Sequence, residues 1–168
     1  MNKTITINEL AKIPPLLALP LRFSPPLIHN TALVTMLNRI FSQALREGEL
    51  DFMRRRILRI RVLDANLSFC LTLVGDRLVA HNHSQTHDLT IEGTAYDFLL
   101  LATRREDPDT LFFNRRLRLG GDTELGLYLK NFLDALEPEE QLGPLFKHLE
   151  RMTALFEQVG KIRSVIRL

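Results

Sequence analysis

Residues 107–137 read DPDTLFFNRRLRLGGDTELGLYLKNFLDALE, and the reading of this stretch decides the fold. Asp107-Pro108 starts a short helical turn. This turn carries Leu111, Phe112 and Phe113, expected to face inward. RRLRLG then alternates, a strand with Leu117 and Leu119 turned in. Asp122 caps a second helix, in which Leu125, Tyr128, Leu129, Phe132, Leu133 and Leu136 recur at helical spacing.

The Gly120-Gly121-Asp122 step between strand and helix raises the question of a phosphate loop, since such loops use free backbone N–H groups at a helix N-terminus. No Lys-Ser or Lys-Thr follows, and no GxGxxG is present. Asp122 would also repel a phosphate at the helix start. A tight turn with an aspartate cap is the favoured reading.

Upstream, residues 1–24 form an oily arm in which Pro14, Pro15 and Pro20 forbid a long helix. Such an arm docks on its own domain, on a second subunit or on a membrane surface. Ser24-Pro25 starts a helix running to about Arg46, with Leu33, Leu37, Ile40, Phe41 and Ala44 on one face and Gly48 at its C-terminal cap. Short strands follow over ILRIRVLD, LSFCLTLV, RLVAH and DLTIEG, joined by turns at Asp64-Ala65-Asn66 and Gly75-Asp76. Their succession favours an antiparallel meander. Thr94, with Asp97 three residues on, caps a helix bearing Phe98, Leu101 and Ala102. Downstream, Pro138 and Gly143-Pro144 break the chain before a helix carrying Leu145, Leu149, Met152, Phe156 and Val159, which Gly160 is expected to end. Strands and helices in this order predict an α+β fold, helices packed on one curved, mostly antiparallel sheet. The expected boundaries are an arm at 1–24, a domain at 25–137, and a C-terminal helix with basic tail at 138–168.

The 168 residues suit one domain, and 45% apolar with 25% charged residues is a soluble globular composition. A net charge of +2 does not point to nucleic acid. The lone Cys70 agrees with a reducing cytoplasm, and the first ten residues, polar and carrying Glu9, do not resemble a secretory leader.

Catalytic candidates are few. His81 and His83 would share one side of a strand, with His87 and Asp88 nearby, but no further ligand stands at a typical metal spacing, and a polar surface loop is favoured. Cys70 lies between inward Phe69 and Leu71 and reads as a small structural residue. Ser68 and Ser84 lack a GxSxG elbow. Arg59 and Arg61 alternate with Leu58, Ile60 and Val62 as on a sheet with one wet face, the favoured reading, though exposed arginines in rows also attract anionic lipid headgroups. No catalytic residue, metal or cofactor is nominated. The informative feature is the apolar excess.

The tandem of EDPDTLFF, RRLRLGGDTELGL and the helix after it resembles the UbiT (YhbT) group of bacterial proteins, in the sterol-carrier-protein type-two lipid-binding superfamily. The resemblance extends back through GELDFMRRRILRIRVLD and TAYDFLLLATRREDPDTLFF and covers roughly residues 26–137. It implies a five-stranded sheet covered by helices around an apolar cavity, and a non-enzymatic carrier of lipids. The implied cargo is polyprenyl quinone or its precursors, or anionic phospholipid, in oxygen-independent ubiquinone biosynthesis alongside UbiU and UbiV. The residues expected to line the cavity are Phe41, Phe52, Phe69, Phe98, Leu101, Leu111, Phe112, Phe113, Leu129, Phe132 and Leu133. Gly126 would let a tail or another helix approach the backbone. Arg54, Arg55 and Arg115 are the expected contacts for a headgroup or membrane. A cytoplasmic protein with transient inner-membrane contact, as a monomer or homodimer, is the matching expectation. The rival readings are a peripheral adaptor that binds phospholipid and recruits partners, and an enzyme with a metal on the histidines.

Overall fold

A computed structural model describes residues 26–81, 86–137, 139 and 142–166. The arm at 1–24, the Ser24-Pro25 helix start, Pro138 and His83 lie outside the described residues.

Helix α1 spans Pro26–Ile40 and α2 spans Ser42–Glu47. The single helix expected to Arg46 is thus interrupted at Phe41, although Phe41 N–H still donates to Leu37 and Leu45 N–H to the Phe41 carbonyl, both at 2.8 Å. Gly48, at φ 75°, ends α2 in the left-handed cap that glycine adopts at least cost. A 3₁₀ turn at Asp51–Met53 leads into the sheet.

The strands are β1 Leu58–Val62, β2 Leu67–Val74, β3 Arg77–Ala80, β4 Leu89–Gly93 and β5 Arg118–Gly121, in spatial order β3-β2-β1-β4-β5. The expected meander holds for β1 to β3. It then fails, because β4 crosses over to pair parallel with β1, and β5 pairs antiparallel with β4. The sheet is therefore mixed, with β1–β4 its single parallel pair.

Asp88 fastens the crossover. Its carboxylate accepts from Ile57 N–H at 2.7 Å, its N–H donates to the Ile57 carbonyl at 3.0 Å, and its carbonyl accepts from Asp122 N–H at 2.9 Å. The start of β4 is thereby tied to the approach to β1 and to the end of β5. The Ile57 N–H, helped by Arg56 at 3.1 Å and opposed by partial burial, holds this carboxyl below the usual carboxylate range.

Register sorts the two faces. Phe69, Ile60, Ile91 and Leu119 stand side by side in one row, and Leu71, Leu58 and Leu89 in the next. The opposite face carries Arg59, Arg61, Ser68, Thr90 and Glu92, with Arg61 paired to Glu92 at 2.9 Å. This is the one wet face read from the Arg/Leu alternation. Cys70 is buried on the same side, where desolvation raises its thiol pKa against a smaller opposing effect of Arg59. A thiol kept protonated in this way suits a structural role.

The helices gather on the apolar face: α3 Ala95–Ala102, α4 Pro108–Phe113, α5 Thr123–Ala135 and α6 Pro144–Ile166. Thr94 and Asp97 form a capping box at the start of α3. Asp97, 1% exposed, also accepts from Arg116 Nε at 2.7 Å, and that guanidinium lies over the Tyr96 ring. Asp107 caps α4 and Asp122 caps α5, each accepting backbone N–H bonds. Gly121 has φ 115°, and a Cβ there would come within 2.3 Å of the Asp88 carbonyl oxygen. The glycine step is thus a turn that lets β5 close against the start of β4. Helix α6 does not end at Gly160 but continues to Ile166. Lacking a turn that needs its special conformation there, glycine merely weakens a helix.

Candidate functional site: an apolar cavity under the helices

Between the sheet and the helices lies a cavity of about 450 Å³. The sheet supplies Leu58, Ile60, Val62, Phe69, Leu71 and Ile91. Helix α1 adds Leu33, Met36, Leu37 and Ile40, with Phe41 just beyond its end. Phe98, Leu99, Leu101 and Ala102 come from α3, and Leu129, Phe132 and Leu133 from α5. Helix α6 closes the far side with Leu149, Met152 and Phe156, positions that share one helical face. The cavity is partly open, and two of its lining residues, Met36 and Met152, are 40% and 48% exposed.

Apolar walls left without packing partners forgo dispersion contacts, and the loss grows with the volume left unfilled. Water entering from the mouth would find almost no partners on these walls. An apolar guest relieves the cost far better.

Anchoring contacts fix the walls. Asn38 on α1 donates its amide to the Leu78 carbonyl at 2.7 Å and accepts Leu78 N–H at 2.8 Å, so its side chain completes the edge of β3 as another strand would. Phe41 packs edge-on against Phe132, ring centres 5.4 Å apart. The middle of α6 is held by Phe156 against Tyr96, by Arg105–Glu157 at 2.9 Å and by the fully buried Thr153.

Among the described residues, Arg104 is the one charged group on the lining. It follows α3 in the left-handed conformation, φ 50°. Its Nη2 donates to the carbonyls of Leu133 at 3.1 Å, Leu136 at 2.7 Å and Asp134, and so caps the C-terminal end of α5. Among the described residues the lining offers no carboxylate, histidine, cysteine or hydroxyl. What it can do is bury an apolar body.

Of the residues nominated from sequence, Phe41, Phe69, Phe98, Leu101, Leu129, Phe132 and Leu133 line the cavity. Phe52, Leu111 and Phe112 do not. Leu111 is wholly buried in a second cluster with Tyr96, Leu100 and Leu117. Phe112 packs beside both clusters, and Phe52 stacks on Tyr128 with ring centres 6.0 Å apart. Phe113, expected to point inward, is 89% exposed. Successive helical side chains turn by about 100°, so once Leu111 points in, Phe113 must point away. Tyr128 likewise leaves the expected apolar stripe of α5 and is exposed. Gly126 is buried facing Leu89 and Leu119 of the sheet, and a Cβ there would meet them at 3.6 and 3.7 Å, ordinary contact, so the space beside it is not one that only glycine fits.

Arg54 is engaged by Asp51 at 2.8 Å, by Asp76 at 3.4 Å and by the Gly75 carbonyl. Arg55 and Arg115 are exposed with left-handed backbones, and none of these three arginines lines the cavity. His81 and His87 belong to no group of three or more potential metal ligands among the described residues. The residues nominated from sequence left out the walls from α1, from the sheet apart from Phe69, from α3's Leu99 and Ala102, and from α6, as well as Arg104. The α6 stripe at Leu149, Met152 and Phe156 was visible as periodicity. Arg104 carried no local signal.

No described helix is long and apolar enough to cross a membrane. The profile of the SCP-2 sterol transfer family matches residues 36–134. The ubiquinone biosynthesis accessory factor UbiT of Escherichia coli (strain K12) is 43% identical over 127 residues, covering 76% of this chain and 72% of that protein. The UbiT of Escherichia coli O157:H7 matches equally well. Among solved structures, the UbiJ-SCP2 ubiquinone synthesis protein superposes with a TM-score of 0.52 at 18% identity, over 64% of this chain and 89% of that one, a likeness of fold. On its sheet, its cavity and these matches, the chain belongs to the SCP-2 sterol transfer family, as a homologue of UbiT.

Proposed function

We propose that the protein is a non-enzymatic lipid-binding accessory factor of ubiquinone biosynthesis that holds a polyprenyl quinone, or a prenylated precursor, in the cavity. The observation that carries this reading is the 450 Å³ cavity itself, walled by leucine, isoleucine, phenylalanine and methionine with one charged group at its margin. Each methylene taken from water contributes on the order of 0.8 kcal/mol, so a long isoprenoid tail needs little polar recognition. The relatives' role in ubiquinone biosynthesis supplies the cargo class. Exposed Met36 and Met152 among the lining residues fit brief contact with a membrane, where such a tail would be loaded. The modifying enzymes, and the UbiU and UbiV proteins, are the corresponding partners.

Organic extraction of protein purified from its native host, followed by mass spectrometry, tests this. Prenylated quinone or precursor near one per chain or per dimer is the expected result. Phospholipid alone would favour an adaptor that binds anionic membrane. An empty extract, with no quinone taken up on addition, would make the cavity a feature without cargo.

A further inference from the structure

Resting on the lipid-carrier reading, we propose that Arg104 is the polar anchor of the cavity and holds the neutral oxygen-bearing headgroup of a prenylated quinone or phenol. Its guanidinium is already fixed along one edge, because Nη2 is taken by the carbonyls of Leu133, Asp134 and Leu136. The remaining donors, Nε and Nη1, make no hydrogen bond to the described residues. The nearest carboxylate oxygen, Oδ1 of Asp134, stands 3.8 Å from Nη1, beyond hydrogen-bond reach. The side chain is 28% exposed and borders the cavity. A planar fork clamped on one side presents its other donors in set directions, so a ligand oxygen gains the bond with little loss of side-chain freedom.

The surroundings select the charge of that oxygen. The C-terminal end of α5 contributes partial negative charge, as does the end of α3 from which Arg104 emerges. Asp134 adds a full negative charge nearby. A phosphate or carboxylate entering here meets that field with a single cation already shared among three carbonyls. A quinone carbonyl or phenol oxygen accepts the same hydrogen bonds without that repulsion. The isoprenoid tail would then run from Arg104 over Leu101, Leu133 and Phe98 toward the sheet.

The test measures binding of three probes to the full chain: a prenylated benzoquinone, the headgroup-free hydrocarbon of the same prenyl length, and phosphatidic acid. Wild type is expected to bind the quinone about tenfold more tightly than the hydrocarbon, as one partly exposed charge-assisted hydrogen bond would give. In Arg104→Lys, the three ammonium donors are consumed by the α5 carbonyls. This variant should melt as wild type does and keep hydrocarbon binding, but lose the quinone preference. Arg104→Met should lose the preference as well. Equal loss of both ligands, or an unchanged preference in Arg104→Lys, would reduce Arg104 to a helix cap. A wild type without preference sinks the anchor while leaving the carrier reading intact, even should a variant fail to fold. Phosphatidic acid as the tightest probe would overturn the neutral headgroup. Uptake of none of the three by wild type would instead bring down the carrier reading itself.

Discussion

Replacing Ala102 with phenylalanine puts a ring into the cavity, and the outcome separates a real cavity from a closed core. Ala102 ends α3 and lines the space. Ala44 on α2 is 2% exposed and packed within the core cluster, and it does not itself line the cavity. The same change at the two positions should therefore have opposite effects. At Ala102 the ring enters unfilled apolar space and contributes about 1.5 kcal/mol. Helix propensity takes back about 0.5 kcal/mol. The net gain, near 1 kcal/mol, corresponds to a rise in Tm of about 2–4 °C for a chain of this size. At Ala44 there is no room, and overpacking should cost about 1–3 kcal/mol. Lipid uptake should fall sharply in Ala102→Phe, since the ring takes the guest's place. Thermal melting with parallel uptake of a prenylated quinone reads both effects. Similar destabilisation at the two sites would mean that the cavity is filled in solution. A raised Tm with undiminished uptake would mean that the lipid sits elsewhere.

Three further outcomes follow from the geometry. Gly121→Ala should cost at least about 2 kcal/mol in chemical denaturation, because φ 115° and the 2.3 Å approach to the Asp88 carbonyl both penalise a Cβ. Gly120→Ala, with nothing within 4 Å, should stay within about 1 kcal/mol of wild type, and equal effects would refute the close-approach argument. The Asp88 carboxyl is held low in the folded state, so its stabilisation is complete above the unfolded value of about 3.9 and is lost as pH falls through the lower folded value. Asp88→Asn should accordingly show a shallower acid decline of stability than wild type, and parallel acid limbs would count against the Ile57 N–H as its cause. Phe113→Ser should leave stability within about 0.5 kcal/mol and lipid uptake unchanged, because the ring is 89% exposed; reduced uptake would return Phe113 to the lipid path.

Much of the fold was legible because its signals are local. Capping at Thr94 and Asp122, and the Asp107-Pro108 step, marked three helix starts, and the alternation of Leu58, Ile60 and Val62 with Arg59 and Arg61 marked the wet and dry faces of β1. The placement of β4 was not legible. Its own residues alternate as any strand does, and what sets it beside β1 is Asp88 bonding to Ile57, thirty-one positions away. The same limit explains Asn38, a polar residue in a helix whose partner is the edge of β3 forty positions on. Phe113 was misplaced for a different reason: in a helix of six residues, three consecutive apolar side chains cannot share a face, and composition does not say which one turns out.

The cavity was the least legible feature, and its cause lies in how the layers meet. Periodicity identifies which side chains of α1, α3, α5 and the sheet turn inward, but a filled core and a hollow one have the same periodicity. What decides between them is spacing. Asn38 ties α1 to the edge strand β3, and Leu125 and Leu129 pack α5 into one cluster with Leu89 and Leu119 at the other side of the sheet. Beyond them α6 runs from Pro144 to the latch at Phe156 and Glu157, where Tyr96 and Arg105 receive it. The helices are thus fastened at the margins of the sheet and bridge its middle, above Ile60 and Phe69. Side chains of ordinary length do not fill that span. Loosening one margin while sparing the lining should therefore alter lipid capacity. Asn38→Leu leaves Leu78 N–H and C=O without their partner, costing about 1–3 kcal/mol. Faster amide exchange at Leu78 together with weaker lipid retention would fit this account. Faster exchange with retention unchanged would show that the walls keep their spacing without α1's hold on the edge strand, and that the cavity has another cause.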